Sequence, residues 1–165
     1  MPKTSRTPAN RINPLLLFLA IGMTLLSGFI GSIPTASGLP WYATLQKPSF
    51  TPPSFLFAPV WTLLYIFIGI VLYRILSKKP SYKRKQLMVL FVIQFMCNIL
   101  WSILFFGLKN PYLALLNIII LLYLISRLIF KLIRYDSTSA YLLTPYFLWV
   151  SFASVLNYSV WSLNA

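Results

Sequence analysis

Tryptophan, tyrosine and amide side chains are the chemically distinctive residues of this sequence. The chain contains no histidine, one acidic residue, Asp136, and one cysteine, Cys97. It therefore cannot assemble the paired carboxylates of acid–base catalysis, a histidine-based triad or a cluster of metal ligands. We expect no metal, no cofactor, and a binding function in preference to an enzymatic one.

Aromatic and amide side chains recur at helical spacing within apolar stretches of the chain. Residues three, four, seven or eight positions apart share one face of a helix. Three such groups are present, namely Trp61 with Tyr65, Gln94 with Asn98 and Trp101, and Trp149 with Ala153 and Asn157. These stripes predict that several helices each present an aromatic ring and a small or amide residue on one face.

These stripes have two interpretations. Amides such as Asn98 and Asn117 are commonly interhelical hydrogen-bonding groups, each worth about 1 to 2 kcal/mol at most, and tryptophans often form belts at the membrane interface. Trp61, Trp101 and Trp149, however, lie well inside apolar segments. They favour a cavity lined by aromatic rings, which would select flat, apolar molecules.

The composition places the stripes in membrane-spanning helices. Of the 165 residues, 59% are apolar and 9% are charged, and the mean hydropathy is +0.80. A soluble domain carries about 25% charged residues, whereas a bilayer core of about 30 Å is crossed by about 20 apolar residues. Five segments of that length lie at about 15–33, 55–76, 87–108, 111–132 and 140–163. The sequence predicts an all-α membrane protein, a five-transmembrane-helix bundle forming one domain over residues 1–165.

The basic residues predict how this bundle is oriented. Twelve of the 14 Lys and Arg residues fall on one side of the five-span arrangement. They are Lys3, Arg6, Arg11, Arg74, Lys78, Lys79, Lys83, Arg84, Lys85, Arg127, Lys131 and Arg134. Lys47 and Lys109 fall on the other side, so the positive-inside rule predicts a cytoplasmic N-terminus. Because the basic residues flank apolar segments instead of forming a stripe, we expect no nucleic-acid partner.

The first apolar segment has two features of its own. Basic residues precede it and small residues follow it, as in a secretory signal, but its apolar run exceeds the roughly 7 to 15 residues of a signal peptide. We therefore expect a retained helix. Its pairs of small residues, Ser27 with Gly31 and Gly28 with Ser32, predict close packing, either within the bundle or in a homodimer.

The connection over residues 34–56 is proline-rich and partly apolar. It contains Trp41, Lys47, Pro48, Pro52 and Pro53. So stiff a segment fits either a lid on the mouth of the bundle or a loop along the membrane interface.

Prolines also mark helix starts further along the chain. Asn110 followed by Pro111 predicts a capped helix with proline in its first turn. Pro145 predicts either a late start or a kink in the last helix.

Several separated blocks of the sequence resemble the TspO/translocator protein family, which includes the tryptophan-rich sensory proteins and the peripheral-type benzodiazepine receptors. The blocks are residues 41–53, 58–65, 94–107 and 145–161. They occur in the family's order and together span nearly the whole chain.

The resemblance implies a five-helix bundle, often dimeric, with a ligand pocket under the first loop. It implies porphyrin ligands such as protoporphyrin IX, together with cholesterol and synthetic isoquinoline or benzodiazepine compounds. By position, the ligand-binding residues would be Trp61, Tyr65, Asn98, Trp101, Trp149, Ala153 and Leu156. The family's sterol motif needs a basic residue soon after Tyr158, but Ser159 and Val160 follow it, which argues against sterol binding there.

Three hypotheses about function result. The first is a receptor, sensor or carrier for porphyrins in a bacterial inner membrane. The second is light-dependent degradation of porphyrin, in which Trp61 and Trp149 would take part. The third is a transport or scaffold subunit whose aromatic residues only pack and bind no ligand.

Overall fold

The computed structural model describes residues 12–165, and within that range five helices are long and apolar enough to cross a membrane. They are α1 (Pro14–Thr44), α2 (Phe57–Leu76), α3 (Tyr82–Ser102), α4 (Pro111–Tyr135) and α5 (Ser137–Leu163). A short 3-10 helix, Ser54–Leu56, leads into α2, and a π-helical turn, Ile103–Gly107, continues α3. The predicted all-α, five-helix transmembrane bundle is confirmed.

Side-chain caps begin three of these helices. At the start of α4, Asn110 Oδ1 accepts a hydrogen bond from the backbone N–H of Leu113 at 3.0 Å, and Pro111 occupies the first turn. A proline there forfeits no hydrogen bond, because the first N–H groups of a helix have no partner within it. Asn13 and Ser81 cap α1 and α3 in the same way. The start predicted at Asn110 and Pro111 is confirmed.

Helix α1 is longer than the sequence predicts. It continues to Thr44, so the part of the predicted 34–56 connection that covers 34–44 is helical and the loop prediction is wrong there. Pro34 and Pro40 lie inside this extension. Prolines weaken a helix interior locally, but tertiary contacts hold this one: the ring of Trp41 meets Phe105 edge-on, with centroids 5.9 Å apart.

Other helices also extend beyond the predicted apolar segments. α3 begins at Tyr82 because Ser81 caps a polar first turn that precedes the apolar run. α5 begins at Ser137 and contains Pro145 in its interior, so the late start predicted from that proline is wrong. Hydropathy marks the portion of a helix that lies in hydrocarbon, whereas capped polar turns continue it into the interface.

Basic side chains collect at one end of the bundle, which we call the basic end. The backbone N–H of Asn13 donates to Tyr73 Oη at 3.2 Å, so α1 begins where α2 finishes. Nine of the eleven basic residues in the described part of the chain lie at this end, on the last turns of α2 and α4, the first turn of α3 and their connections. Lys47 and Lys109 lie at the opposite end, as predicted. Lys3, Arg6 and Arg11 fall outside the described residues.

Close backbone approach joins α1 to α2. A Cβ atom added to Gly69 would lie 2.6 Å from the Cα of Ile21, and one added to Gly28 would lie 2.4 Å from the Tyr65 ring. Thr24 Oγ1 also donates to the backbone carbonyl of Tyr65 at 2.8 Å. Small residues thus allow the helices to approach closely, as in other membrane bundles. Gly28 serves packing within the bundle, and the homodimer stays a prediction.

An ion pair joins α2 to the connection between α4 and α5. Arg74 Nε donates to Asp136 Oδ2 at 2.8 Å, a second guanidinium nitrogen donates to Oδ1, and Ser139 Oγ donates to Oδ2 at 2.7 Å. The Asp136 side chain is 7% exposed. Burial raises the pKa of Asp136, but the hydrogen bonds from Arg74 and Ser139 outweigh burial and hold this pKa below its ordinary value. The single acid of the chain is therefore ionised and paired.

Removing this carboxylate is expected to destabilise the bundle. Asp136→Asn should lower the free energy of unfolding by about 2 kcal/mol at neutral pH, because it leaves Arg74 without its charged partner. Since the folded-state pKa is depressed, the stabilisation is present at neutral pH and is lost as the pH falls through that pKa. Thermal unfolding in a neutral detergent, followed from pH 7 down to pH 3, measures both effects.

Lys79→Gln provides the control, because Lys79 is an exposed cation at the same end. Lys79→Gln should leave both the midpoint of thermal unfolding and the pH dependence of that midpoint unchanged. An equal loss in the two variants would mean that any substitution at this end destabilises the bundle, and it would contradict a specific role of the ion pair.

Candidate ligand-binding site

An aromatic cluster lies where α2 faces α5. The rings of Trp61 and Tyr65, one turn apart on α2, stack with centroids 5.6 Å apart. Trp61 meets the ring of Tyr146, from α5, edge-on at 6.3 Å, and Tyr65 meets that of Phe95, from α3, in the same way at 6.3 Å. Offset and edge-on arrangements are the favoured geometries for aromatic pairs. We call Trp61, Tyr65 and Tyr146 the aromatic cluster.

Two amides of α3 bind the hydroxyl groups of this cluster. Tyr65 Oη donates to Asn98 Oδ1 at 2.7 Å, and Tyr146 Oη donates to Gln94 Oε1 at 3.1 Å. Further along, Asn117 Nδ2 donates to the backbone carbonyl of Cys97 at 2.8 Å. The interpretation of Asn98 and Asn117 as interhelical hydrogen-bonding groups is confirmed.

Trp101 is held in a second cluster, nearer the end of the bundle opposite the basic end. Its Nε1 donates to Asn157 Oδ1 at 3.0 Å, and Asn157 Nδ2 donates to the carbonyl of Pro111 at 2.8 Å. The Trp101 ring stacks on Phe105 of the π-helical turn at 5.2 Å. Leu156 is buried in this same cluster. One amide thus ties together three helices, α3, α4 and α5.

A groove of about 370 Å³ lies between α2 and α5, beside the aromatic cluster. We call it the ligand groove, and it is lined by Val60, Leu63, Leu64, Pro145, Leu148, Trp149 and Phe152. Its lining is apolar except for Trp149, whose buried Nε1 has no hydrogen-bond partner among residues 12–165. An unpaired buried donor costs about 1 to 3 kcal/mol. Trp149 thus combines a place in the lining of the groove with a donor that is unpaired within the described residues.

The loop after α1 closes one end of this groove. The ring of Phe50 meets that of Phe152 edge-on at 6.3 Å, and Phe152 lies 5.7 Å from Trp149. The backbone N–H of Gln46 donates to Asn164 Oδ1 at 3.0 Å, and Asn164 Nδ2 donates back to the Gln46 carbonyl at 2.9 Å. The loop is therefore fixed to α5 both at the groove and at the end of the helix.

Comparison with known proteins agrees with this arrangement. A sequence model of the TspO/MBR family matches residues 18–162, which include most of all five helices. The chain is 44% identical over 156 residues to the tryptophan-rich protein TspO of Archaeoglobus fulgidus, covering 93% of this chain and 100% of that one. The chain belongs to the TspO/MBR family. The resemblance stated from the sequence is confirmed.

Relatives in this family come from several kingdoms. The tryptophan-rich protein TspO of Chlorobaculum tepidum is 42% identical over 154 residues, covering 91% of this chain and 96% of its own. The translocator protein of Bos taurus is 33% identical over 151 residues, covering 88% of this chain and 89% of its own. Alignment over nearly full length with the TspO proteins and with the translocator protein indicates that all five helices belong to the fold that the family shares.

The predicted ligand-binding residues of this TspO/MBR chain fall into three places. Tyr65 contacts both Trp61 and Asn98, in or next to the aromatic cluster. Trp149 lines the ligand groove, and Ala153, one turn further along α5, is half-buried against the main core. The remaining two, Trp101 and Leu156, belong to the second cluster. The role of all seven residues in ligand binding stays a prediction.

The predicted lid residues lie partly outside the loop. Trp41 is in the last turns of α1, so its assignment to the connection is wrong. Lys47 Nζ donates to the carbonyls of Ala43 and Leu45 at 3.3 and 3.1 Å, which folds its side chain back over the end of α1.

The predicted lid prolines all lie in the loop itself. Pro48 accepts a hydrogen bond from the backbone N–H of Thr51 at 3.1 Å and so forms a turn. Pro52 and Pro53 follow this turn and lead directly into the 3-10 helix at Ser54. The prolines thus shape the short path from α1 to α2.

The residues in or beside the groove that the sequence-based site lacked are Val60, Leu63, Leu64, Pro145, Tyr146, Leu148 and Phe152. Tyr146 is fully buried and bridges Trp61 to Gln94. It precedes Trp149 by three positions and so shares a helix face with it, a signal that the sequence contained. Leu63 and Phe152 line the groove by projecting from the neighbouring faces of α2 and α5, and their types alone do not distinguish them from lipid-facing residues.

The amide that ties three helices together should contribute measurably to stability. Asn157→Leu removes the acceptor of Trp101 Nε1 and the donor to Pro111, so we expect the free energy of unfolding to fall by about 1 to 3 kcal/mol. Unfolding in mixed micelles measures this loss. Ser159→Ala is the control, because Ser159 Oγ bonds only to Val155 of its own helix. Similar losses in both variants would contradict the interhelical role of Asn157.

Proposed function

We propose that this protein is a membrane receptor, sensor or carrier that binds planar, largely apolar molecules of the porphyrin class in the ligand groove. The observation that carries the proposal is the groove itself, an apolar cleft beside stacked aromatic rings with one unpaired donor, Trp149 Nε1. Membership of the TspO/MBR family supports it.

The lining of the groove favours a flat ligand. Its volume of about 370 Å³ lies within the usual range of ligand pockets, about 300 to 1,000 Å³. Its walls come from α2 and α5, so a flat molecule in the groove would contact side chains of both helices. The indole of Trp149 supplies the aromatic surface on which a conjugated ring stacks.

The polar groups near the groove suit the edge of a porphyrin. Protoporphyrin IX combines an apolar macrocycle with carboxylates at one edge, and each carboxylate oxygen accepts hydrogen bonds. Trp149, which lines the groove, carries an unpaired donor at Nε1 that suits such an oxygen. A ligand oriented with a carboxylate toward Trp149 would satisfy this donor.

Truncating the groove tryptophan is expected to weaken porphyrin binding. Trp149→Leu removes both the stacking surface and the donor, so the Kd for protoporphyrin IX should rise about tenfold or more. The shift of the porphyrin absorption band during titration of protein in detergent measures this without relying on tryptophan fluorescence.

Trp161→Leu is the matched control, because Trp161 lies on the same helix but contacts Tyr112 and Tyr158 and not the groove. It should leave the Kd unchanged. Unchanged affinity in Trp149→Leu would place the ligand elsewhere, and the absence of saturable binding in the native protein would favour the scaffold hypothesis.

We also propose that the basic end faces the cytoplasm of a bacterial cell and that the loop after α1 faces the opposite side. The support is the positive-inside rule applied to the nine basic residues at that end. In this orientation the ligand groove closes on the extracytoplasmic side, where Phe50 meets Phe152.

Single-cysteine labelling tests this orientation. In a Cys97→Ser background, Lys109→Cys should react with a membrane-impermeant maleimide in intact cells, whereas Lys79→Cys should react only after permeabilisation. Both positions are exposed and both substitutions remove one charge. The reverse labelling pattern would contradict the proposed orientation.

A further inference from the structure

A second groove, which we call the basic groove, lies between α3 and α4 at the basic end. Its volume is about 390 Å³, and it is lined by Tyr82, Lys85, Gln86, Val89, Leu90, Arg127 and Lys131. It shares no residue with the ligand groove and lies on a different pair of helices. A molecule bound in this groove would therefore contact none of the residues that line the ligand groove.

Three basic residues, Lys85, Arg127 and Lys131, line this groove, and no side-chain carboxylate of the chain is available to pair with them. The single acid, Asp136, is bound by Arg74 and Ser139 at the α4–α5 connection. Lys131 Nζ donates to Gln86 Oε1 at 2.9 Å, a neutral acceptor that holds the ammonium group across the groove but leaves its charge uncompensated. Gathering like charges is unfavourable unless an anion sits among them.

The basic groove is amphipathic along its length. Lys85 and Gln86 lie in the first turns of α3, and Val89 and Leu90 follow one turn further toward the middle of the bilayer. On α4, Lys131 lies opposite Gln86 and Arg127 lies one turn deeper, so the long Arg127 side chain must extend toward the surface to reach the same anionic group. A ligand that fills the whole groove therefore needs an anionic group at the membrane surface and an apolar chain beneath it.

We propose that the basic groove binds one anionic phospholipid. Its phosphate lies among Lys85, Arg127 and Lys131, and its acyl chain lies against Val89 and Leu90. Basic pockets between transmembrane helices on the cytoplasmic side are a recognised way of holding anionic headgroups. The bound lipid screens the repulsion among the cations and joins α3 to α4 at this end.

Native mass spectrometry with phosphatidylglycerol tests the proposal. The native protein should retain one phosphatidylglycerol molecule in preference to phosphatidylcholine. Arg127→Gln/Lys131→Gln should weaken retention roughly 30-fold, because each basic residue near an anionic lipid surface contributes a factor of about five. Arg127→Lys/Lys131→Arg keeps both charges and should restore retention, which separates loss of charge from damage to the fold.

The matched control is Lys79→Gln/Lys83→Gln, which removes two exposed cations from the same end but outside the groove. It should retain the lipid as the native protein does. Equal weakening in both double variants would mean that the lipid is held by the overall charge of the basic end and would overturn the proposal. Displacement of the lipid by an equal concentration of inorganic phosphate would overturn it as well, because the groove would then bind an anion alone.

Discussion

The absence of water in the bilayer core requires polar groups within this bundle to find partners in the protein. That requirement explains where the amides and hydroxyls lie. Asn98 accepts a hydrogen bond from the Tyr65 hydroxyl. Asn157 accepts one from Trp101 Nε1 and donates one to the carbonyl of Pro111. Asn117 donates to the carbonyl of Cys97. Each of these bonds crosses between helices, so together they fix the register at which the helices pack.

The same requirement makes an unpaired group informative. Two buried donors, Gln94 Nε2 and Trp149 Nε1, have no partner among residues 12–165. Of these two residues, only Trp149 lines the ligand groove. It borders a groove whose other walls are apolar. A donor kept free at that place costs stability in the empty protein, and a ligand with an acceptor at its edge recovers this cost on binding. The proposed ligand site therefore coincides with a position where the packing leaves a donor without a partner.

Much of the fold is predictable from the sequence because bilayer thickness and charge act on the whole chain. Five apolar segments and the side on which the basic residues lie follow from these two constraints alone. The extension of α1 to Thr44 does not, because its prolines and small residues locally disfavour a helix. Tertiary contacts, including those of Trp41 and Tyr42 with Phe105, stabilise it. The groove is likewise a product of two helices in contact. The sequence indicated Trp149 as a binding residue because this tryptophan lies well inside an apolar segment. Nothing in the sequence distinguishes Leu63, which also lines the groove, from a lipid-facing leucine.

The position of the single acid, Asp136, decides which basic residue at the basic end is paired within the protein. Asp136 neutralises Arg74, and with its carboxylate occupied by Arg74 and Ser139 the chain has no other acidic side chain to offer. The cations of the α3–α4 groove must then be compensated from outside the protein, by the lipids among which they lie. In the ligand groove the protein presents one donor to an apolar molecule, and in the basic groove it presents three charges to an anionic one. The two grooves differ because charge is distributed so unequally between the two ends of the bundle.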